Sequence, residues 1–122
     1  MFQLFAKDDP KRPNPSPRWV ERRKHPRYEY VREIEICRDG TVYAATTFEI
    51  SESGMSAATP NLFRVGAIVQ ISPILSKSVK AIIRRKLGTM YGFEFLGLSD
   101  DQKQQLRQLC EQLPLFQSMA DI

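Results

Sequence analysis

This 122-residue sequence predicts a mainly β domain: one closed or sandwiched antiparallel sheet, preceded by a basic arm and finished by a helix. Three observations lead there. Six short runs alternate apolar and polar residues between turn signals, the last long apolar pattern switches to a helical period, and prolines and positive charge crowd together before the first strand. With 42% apolar and 26% charged residues, the chain can fill one core and is too short for two ordinary domains.

The arm comes first. Residues 1–32 hold nine Lys/Arg against Asp8, Asp9, Glu21 and Glu29, whereas the remainder is close to neutral, so the net charge of +4 belongs to the arm. Pro10, Pro13, Pro15, Pro17 and Pro26 remove backbone donors and push their predecessors towards extended conformations, so residues 1–27 read as a flexible, largely unpaired segment when free. Localised positive charge on such an arm fits an anionic partner, whether nucleic acid, lipid or a small phosphate, and fits a solvated tail equally.

From Tyr28 the period changes to two. Tyr28, Tyr30, Ile34 and Ile36 alternate with Glu29, Glu33 and Glu35. Asp39-Gly40 supplies a turn, and Val42, Ala44 and Phe48 are expected to continue the even-numbered inward face with Tyr43 opposite, making residues 28–49 a hairpin. A third strand runs from Gly54 to Thr59 and stops at Pro60-Asn61. A fourth runs from Ala67 to Ser72, and a fifth alternates Val79, Ala81 and Ile83 ahead of Arg84, Arg85 and Lys86. Gly88 turns the chain into a sixth, Met90 to Leu96, with Tyr91, Phe93 and Phe95 on one face.

The helix is expected from Ser99 to Leu113. Ser99 and Gln102 have capping-box spacing, Asp100 and Asp101 complement the positive helix start, and Leu106, Leu109, Cys110 and Leu113 form an apolar stripe that seals the sheet; Pro114 ends it.

The same residues exclude several classes of function. Cys37 and Cys110 form no CxxC pair, so they frame neither a zinc site nor a small secreted scaffold, and a reducing, cytoplasmic compartment is expected. The opening apolar run ends at Lys7, too short for a signal core, and no stretch approaches a membrane span, so membrane insertion is not expected. His25, the one histidine, lies inside an Arg/Lys run that opposes imidazolium formation, and nucleotide-cradling or nucleophile-elbow motifs are missing. Catalytic residues, a metal and a cofactor are therefore not expected.

Two short stretches carry the specific signal. The first is Glu21-Arg22-Arg23-Lys24-His25-Pro26-Arg27, containing Arg23-x-x-x-Arg27; the second is Glu49-Ile50-Ser51-Glu52-Ser53-Gly54. In this order around an Asp-Gly hairpin, and followed by Tyr91-Gly92-Phe93-Glu94-Phe95 and a helix, they make residues 21–113 resemble the PilZ domain family, with residues 1–20 as the arm and 114–122 as a tail. That family's signature is Arg-x-x-x-Arg followed by Asp or Asn-x-Ser-x-x-Gly. The resemblance implies a six-stranded antiparallel barrel with a C-terminal helix, and a bacterial receptor for the second messenger cyclic di-GMP.

What the resemblance implies for individual residues agrees with their chemistry. A guanidinium fork bonds bidentately to phosphate oxygens or to guanine O6 and N7, which suits Arg23 and Arg27, with Arg22 as an accessory. Glu49 would accept guanine donors, Ser51 would contact the ligand, and Gly54 would allow close approach or a positive φ. Glu49 departs from the family's Asp or Asn by one methylene. Trp19 is a candidate to stack on a guanine or to pack the arm on the barrel, and one of Arg84 and Arg85 is a candidate to contact a phosphate or to stack, the alternative being that both are solvated. The expected partners are cyclic di-GMP and an effector protein regulated through the ligand, in a monomer or homodimer that does not bind nucleic acid. The alternatives are a PilZ-fold adaptor that no longer binds nucleotide, favoured by Glu49, and a nucleic-acid-binding barrel, favoured by the arm and opposed by a near-neutral body without a basic-aromatic stripe.

Overall fold

The structure, a computed structural model, describes residues 25–116. The expectations for the arm, including Trp19, Arg22 and Arg23, and for the tail past Phe116 lie outside the described residues. The elements are β1 (Tyr28–Glu29), β2 (Glu33–Arg38), β3 (Thr41–Ile50), β4 (Gly54–Ala58), β5 (Ile68–Ser72), β6 (Val79–Leu87), β7 (Met90–Leu96) and helix α1 (Asp100–Glu111). Every pairing is antiparallel, the order is β1-β3-β2-β5-β6-β7-β4, and a β3–β4 pairing closes the sheet on itself. Strands β2 to β7 thus form a six-stranded barrel, with β1 lying beyond β2 along the same edge of β3.

The first hairpin corrects one expectation. Asp39 and Gly40 both have positive φ, 52° and 79°, as a two-residue turn matched to strand twist requires. Arg38 therefore pairs with Thr41, and even positions on β2 face odd positions on β3: Ile34 opposes Ala45, and Ile36 opposes Tyr43. The inward residues of β3 are Tyr43, Ala45 and Thr47, whereas Val42, Ala44 and Phe48 are exposed. Two-residue turns invert parity, so counting even numbers through the turn chose the wrong face.

A bulge then changes parity again. The β3–β4 register shifts between Thr47 and Glu49, so Ile50 points inward beside Met55 while Glu49 points out. Opposite the bulge the expected first strand breaks at Tyr30–Arg32, leaving β1 and β2 as its two pieces. Thr47, fully buried, bridges the break: its hydroxyl donates to the Tyr30 carbonyl at 2.5 Å and accepts from the Arg32 amide at 2.9 Å. The backbone completes it, Tyr30 N donating to Phe48 O at 3.0 Å and Thr47 N to Arg32 O at 2.8 Å. The Tyr30 and Arg32 backbone groups that the kink removes from the ladder thus recover partners, while the exposed Val31 faces water.

Inside the barrel, Ile34, Ile36, Val69, Ile71, Val79, Ala81, Ile83, Tyr91 and Phe93 form the buried core. Helix α1 closes one end. The Ser99–Gln102 capping box forms with both bonds at 3.1 Å, Leu106 and Cys110 are buried, and Leu109 and Leu113 pack half-buried against the core. The β5–β6 loop is tied to α1 through Ser76 N to Gln105 Oε1 at 3.0 Å and Gln102 Nε2 to Ser78 O at 3.2 Å. Cys37 and Cys110 are free thiols; burial, with a smaller contribution from Glu52, pushes the Cys110 thiol up to about 11, so it stays protonated near neutral pH. After the helix, the chain returns to β1: Glu29 N donates to Pro114 O at 2.8 Å and Phe116 N to Arg27 O at 2.9 Å. Among the described residues, no helix is long and apolar enough to cross a membrane.

The Thr47 bridge is directly testable. Thr47→Val keeps the shape and strands the Tyr30 carbonyl and the Arg32 amide, so chemical unfolding should show a loss of about 1–3 kcal/mol. Thr47→Ser, which keeps the hydroxyl, should lose clearly less.

Candidate functional site

The outer face of the barrel carries a row of residues drawn from strands far apart in sequence. Glu29 on β1 pairs with Glu49 on β3, Glu49 with Ser56 on β4, Ser56 with Gly92 on β7, and Gly92 with Arg85 on β6. Arg27, just before β1, joins this row through its side chain: Nη1 lies 3.4 Å from Glu49 Oε1 and 3.5 Å from Oε2. Ser56 Oγ donates to Glu49 Oε2 at 3.2 Å. Glu49 is thus held from two sides, and its side chain is only 14% exposed against 32% for Arg27. The carboxylate, carried one methylene further out than an aspartate's, reaches both Arg27 and Ser56.

A pair of cations faces Arg27 across this floor. The β6–β7 register shifts between Ile83 and Arg85, so strand alternation fails there and Arg84 and Arg85 are both exposed. Arg84 Nε donates to Glu94 Oε1 at 2.6 Å. Arg85 lies along β7 where Gly92 has no side chain: a Cβ at Gly92 would stand 3.6 Å from Arg85 Nε. Arg85 has no carboxylate partner among the described residues.

The loop joining β3 to β4 forms the rim. Ser51 is buried, and its Oγ accepts from the amides of Ser53 at 3.1 Å and Gly54 at 3.2 Å, while Ser51 N donates to Gly54 O at 2.8 Å. The hydroxyl therefore shapes the turn. Gly54 is needed for a similar reason. Its φ is not in the left-handed region, but a Cβ there would collide with the Phe93 carbonyl and fall 3.3 Å from Glu94 Cα, so only glycine lets β4 lie this close to β7. The close approach expected of Gly54 is to the protein's own backbone.

Together these residues line a half-open cleft of about 790 Å3, within the usual range of small-molecule sites, roughly 300–1,000 Å3. Of the residues singled out from sequence, Arg27, Glu49, Ser51, Gly54, Arg84 and Arg85 all lie on its wall. Ser56, Gly92, Glu94 and His25 line the same cleft, and the sequence does not single them out as ligand contacts. The signal for Ser56 and Gly92 lies in the register: once the β3–β4 turn is placed, Glu49 can be walked across to both. Chemically, the cleft offers guanidinium groups on opposite sides of a floor of small side chains, with a carboxylate beside each of two. It suits a flat, anionic ligand bearing hydrogen-bond donors. Among the described residues, no cluster of His, Cys, Asp and Glu is placed to hold a metal ion.

Comparison with known proteins places these features in a family. Residues 21–112 match the PilZ domain, and no curated protein matches the sequence significantly. Among solved structures, the chain is similar to the Bacillus subtilis inhibitor of motility MotI/DgrA, with 18% identity and a TM-score of 0.61 over 74% of this chain; it spans only 50% of that protein. It is also similar to the PilZ domain of YcgR from Escherichia coli, a structure with c-di-GMP, at 16% identity and a TM-score of 0.60, covering 75% of this chain and 91% of that one. A third likeness is to the PilZ domain of CeSA from a cellulose-synthesizing bacterium, at 18% identity and a TM-score of 0.56, covering 70% and 94%.

The Gly54 contact makes a prediction that needs no ligand. Gly54→Ala should push β4 from β7 and destabilise the barrel by about 1–3 kcal/mol, which for a domain of this size lowers the melting temperature by roughly 4–8 °C per kcal/mol. Gly92→Ala, whose new methyl meets only the flexible Arg85 side chain at 3.6 Å, should melt close to the parent.

Proposed function

From the premise that this chain belongs to the PilZ domain family, we propose that it is a receptor for cyclic di-GMP, bound in the cleft between Arg27 and Arg85, which regulates a partner protein through the ligand. PilZ domains are binding and adaptor modules, and the family match covers residues 21–112. The observation that carries the proposal is the registered row from Arg27 and Glu49 through Ser56 and Gly92 to Arg85. It sets the second arginine of the family motif, the acidic position of the other motif and two further arginines around one cleft.

In this reading Arg27 and Arg23 engage the phosphates and guanine edges of the ligand, with Arg22 and Trp19 available on the arm. Glu49 accepts donors from a guanine, and Arg85, laid flat on Gly92, meets a base face or the second phosphate. Ser51 and Gly54 serve by building the rim and bringing β4 against β7. The cell supplies such a ligand to a cytoplasmic protein, and the effect on motility, polysaccharide synthesis or signalling passes through an effector. A route for coupling is present in the described residues: Arg27 and Glu29 carry the backbone bonds from Phe116 and to Pro114, so movement of Arg27 onto a ligand pulls on the segment after α1.

One observation favours a second reading, that of a PilZ-fold adaptor without a nucleotide. Glu49 already holds Arg27, and a ligand must compete with that pair.

Titration of variants with cyclic di-GMP separates the readings. A hydrogen bond to a charged group contributes about 1.5–3 kcal/mol, so Arg27→Ala and Arg23→Ala should each weaken binding by about ten- to a hundredfold while the barrel stays folded. Lysine at either position should rescue only in part, because it restores charge without the fork. Lys11→Ala, outside the motif, is the control; equal loss there would mean a diffuse polycation and sink the receptor reading. Glu49→Asp withdraws the carboxylate from Arg27 and should tighten binding modestly. An affinity that is unchanged or lower would show that the longer acid is not what holds the ligand back.

A further inference from the structure

The two ends of the barrel are finished differently. Helix α1 covers one, whereas the other, where the β2–β3 turn, the β4–β5 loop and the β6–β7 turn meet, has no covering element among the described residues. Of the nine large apolar side chains exposed in the described residues, six belong to this end: Val42, Leu62, Val65, Ile68, Leu87 and Met90. Single exposed apolar residues are ordinary, but their concentration at one pole of a small domain marks an interaction surface.

A groove of about 590 Å3 runs through this pole between the β2–β3 turn and the loop from Leu62 to Ala67. Tyr43 and Phe63 in its lining stack edge to face at 5.0 Å, and the buried Tyr91 backs Phe63 at 5.8 Å, its hydroxyl held between Phe63 N at 3.1 Å and Asn61 O at 3.0 Å. On its rim stand Leu62, 83% exposed, and Val65, 59% exposed. The charge around it is one-sided. Arg38 and Arg64 line the groove against the single carboxylate of Asp39. Arg38 is held through Nη1 to Ile68 O at 2.8 Å and stands 3.8 Å from Asp39 Oδ2, so the unpaired charge of the groove is that of Arg64, which has no carboxylate within ion-pair distance among the described residues.

We propose that this open pole is the docking surface for the partner protein, and that it takes a segment carrying carboxylates among apolar side chains. The apolar rim gives such a segment area to bury, and Arg64, with the excess of cations over carboxylates in the lining, selects its charge. A second copy presenting the same face is disfavoured by the same charges, because a two-fold contact would set the unpaired Arg64 of one copy against that of the other. The inference shares with the proposed function only the existence of a partner. The groove is lined by none of the residues of the nucleotide cleft, so the two can fail separately.

The test is selection of short random peptides displayed on phage against the full chain, followed by affinity measurement of the enriched peptides on Leu62→Asp and Arg64→Glu. Both positions are exposed, so thermal unfolding should confirm intact variants, and cyclic di-GMP titration of the same variants should match the parent. The enriched peptides are expected to alternate Asp or Glu with large apolar residues and to lose about tenfold or more in affinity on either variant. The proposal is overturned if nothing is enriched, if the peptides lack carboxylates, or if both variants bind them like the parent. It is equally overturned if the full chain sediments as a dimer that Leu62→Asp dissociates, since the occupant would then be a second copy.

Discussion

Much of this molecule turns on the irregularity in β3. A ten-residue strand must pair with β2 along its first half, with β1 at its end and with β4 on the opposite edge, and a straight strand of uniform parity would leave Ile50 in solvent. The shift between Thr47 and Glu49 resolves the conflict. It turns Ile50 inward and Glu49 outward, and the buried Thr47 hydroxyl satisfies the polar groups that the accompanying break in the partner strand sets free. Closure of the barrel and the aim of the acidic side chain at Arg27 follow from the same residue of slack.

The cleft inherits its character from two such irregularities. The second, between Ile83 and Arg85, brings consecutive arginines to the outer face, which regular alternation forbids. Between the two bulges the floor is made of Ser56 and Gly92, with Gly54 at its edge, small enough to leave room for a planar ligand above the sheet. The charges are not all free. Arg27 and Arg84 each stand beside a carboxylate, whereas Arg85 does not among the described residues, so an incoming anion meets one open guanidinium and two that must exchange partners. Partial internal pairing of this kind limits non-specific attraction of polyanions and rewards a ligand that brings donors for Glu49 and Glu94 as well as acceptors for the arginines.

How far the sequence foretold this varies with the kind of signal. Turns and caps were legible because their chemistry is local: Asp39-Gly40 makes its two-residue turn and Ser99 with Gln102 makes its capping box. The motif residues were legible as a resemblance, and the structure brings Arg27, Glu49, Ser51, Gly54, Arg84 and Arg85 to one cleft. What failed was parity. Val42, Ala44 and Phe48 were placed inside because the even-numbered pattern of β2 was carried through a turn that inverts it, and no local cue marks the bulge after Thr47. Ser56 and Gly92 went unnoticed because nothing in their neighbourhood is unusual. They matter only through a register that joins residues dozens of positions apart.

The central claim is that the cleft is a specific nucleotide site rather than a basic surface. Calorimetric titration of the full chain with cyclic di-GMP, in the presence of excess single-stranded DNA, tests it most directly. The account predicts saturable heat with a whole-number stoichiometry that the DNA does not displace. Heat that never saturates, or that vanishes when DNA is present, would contradict it.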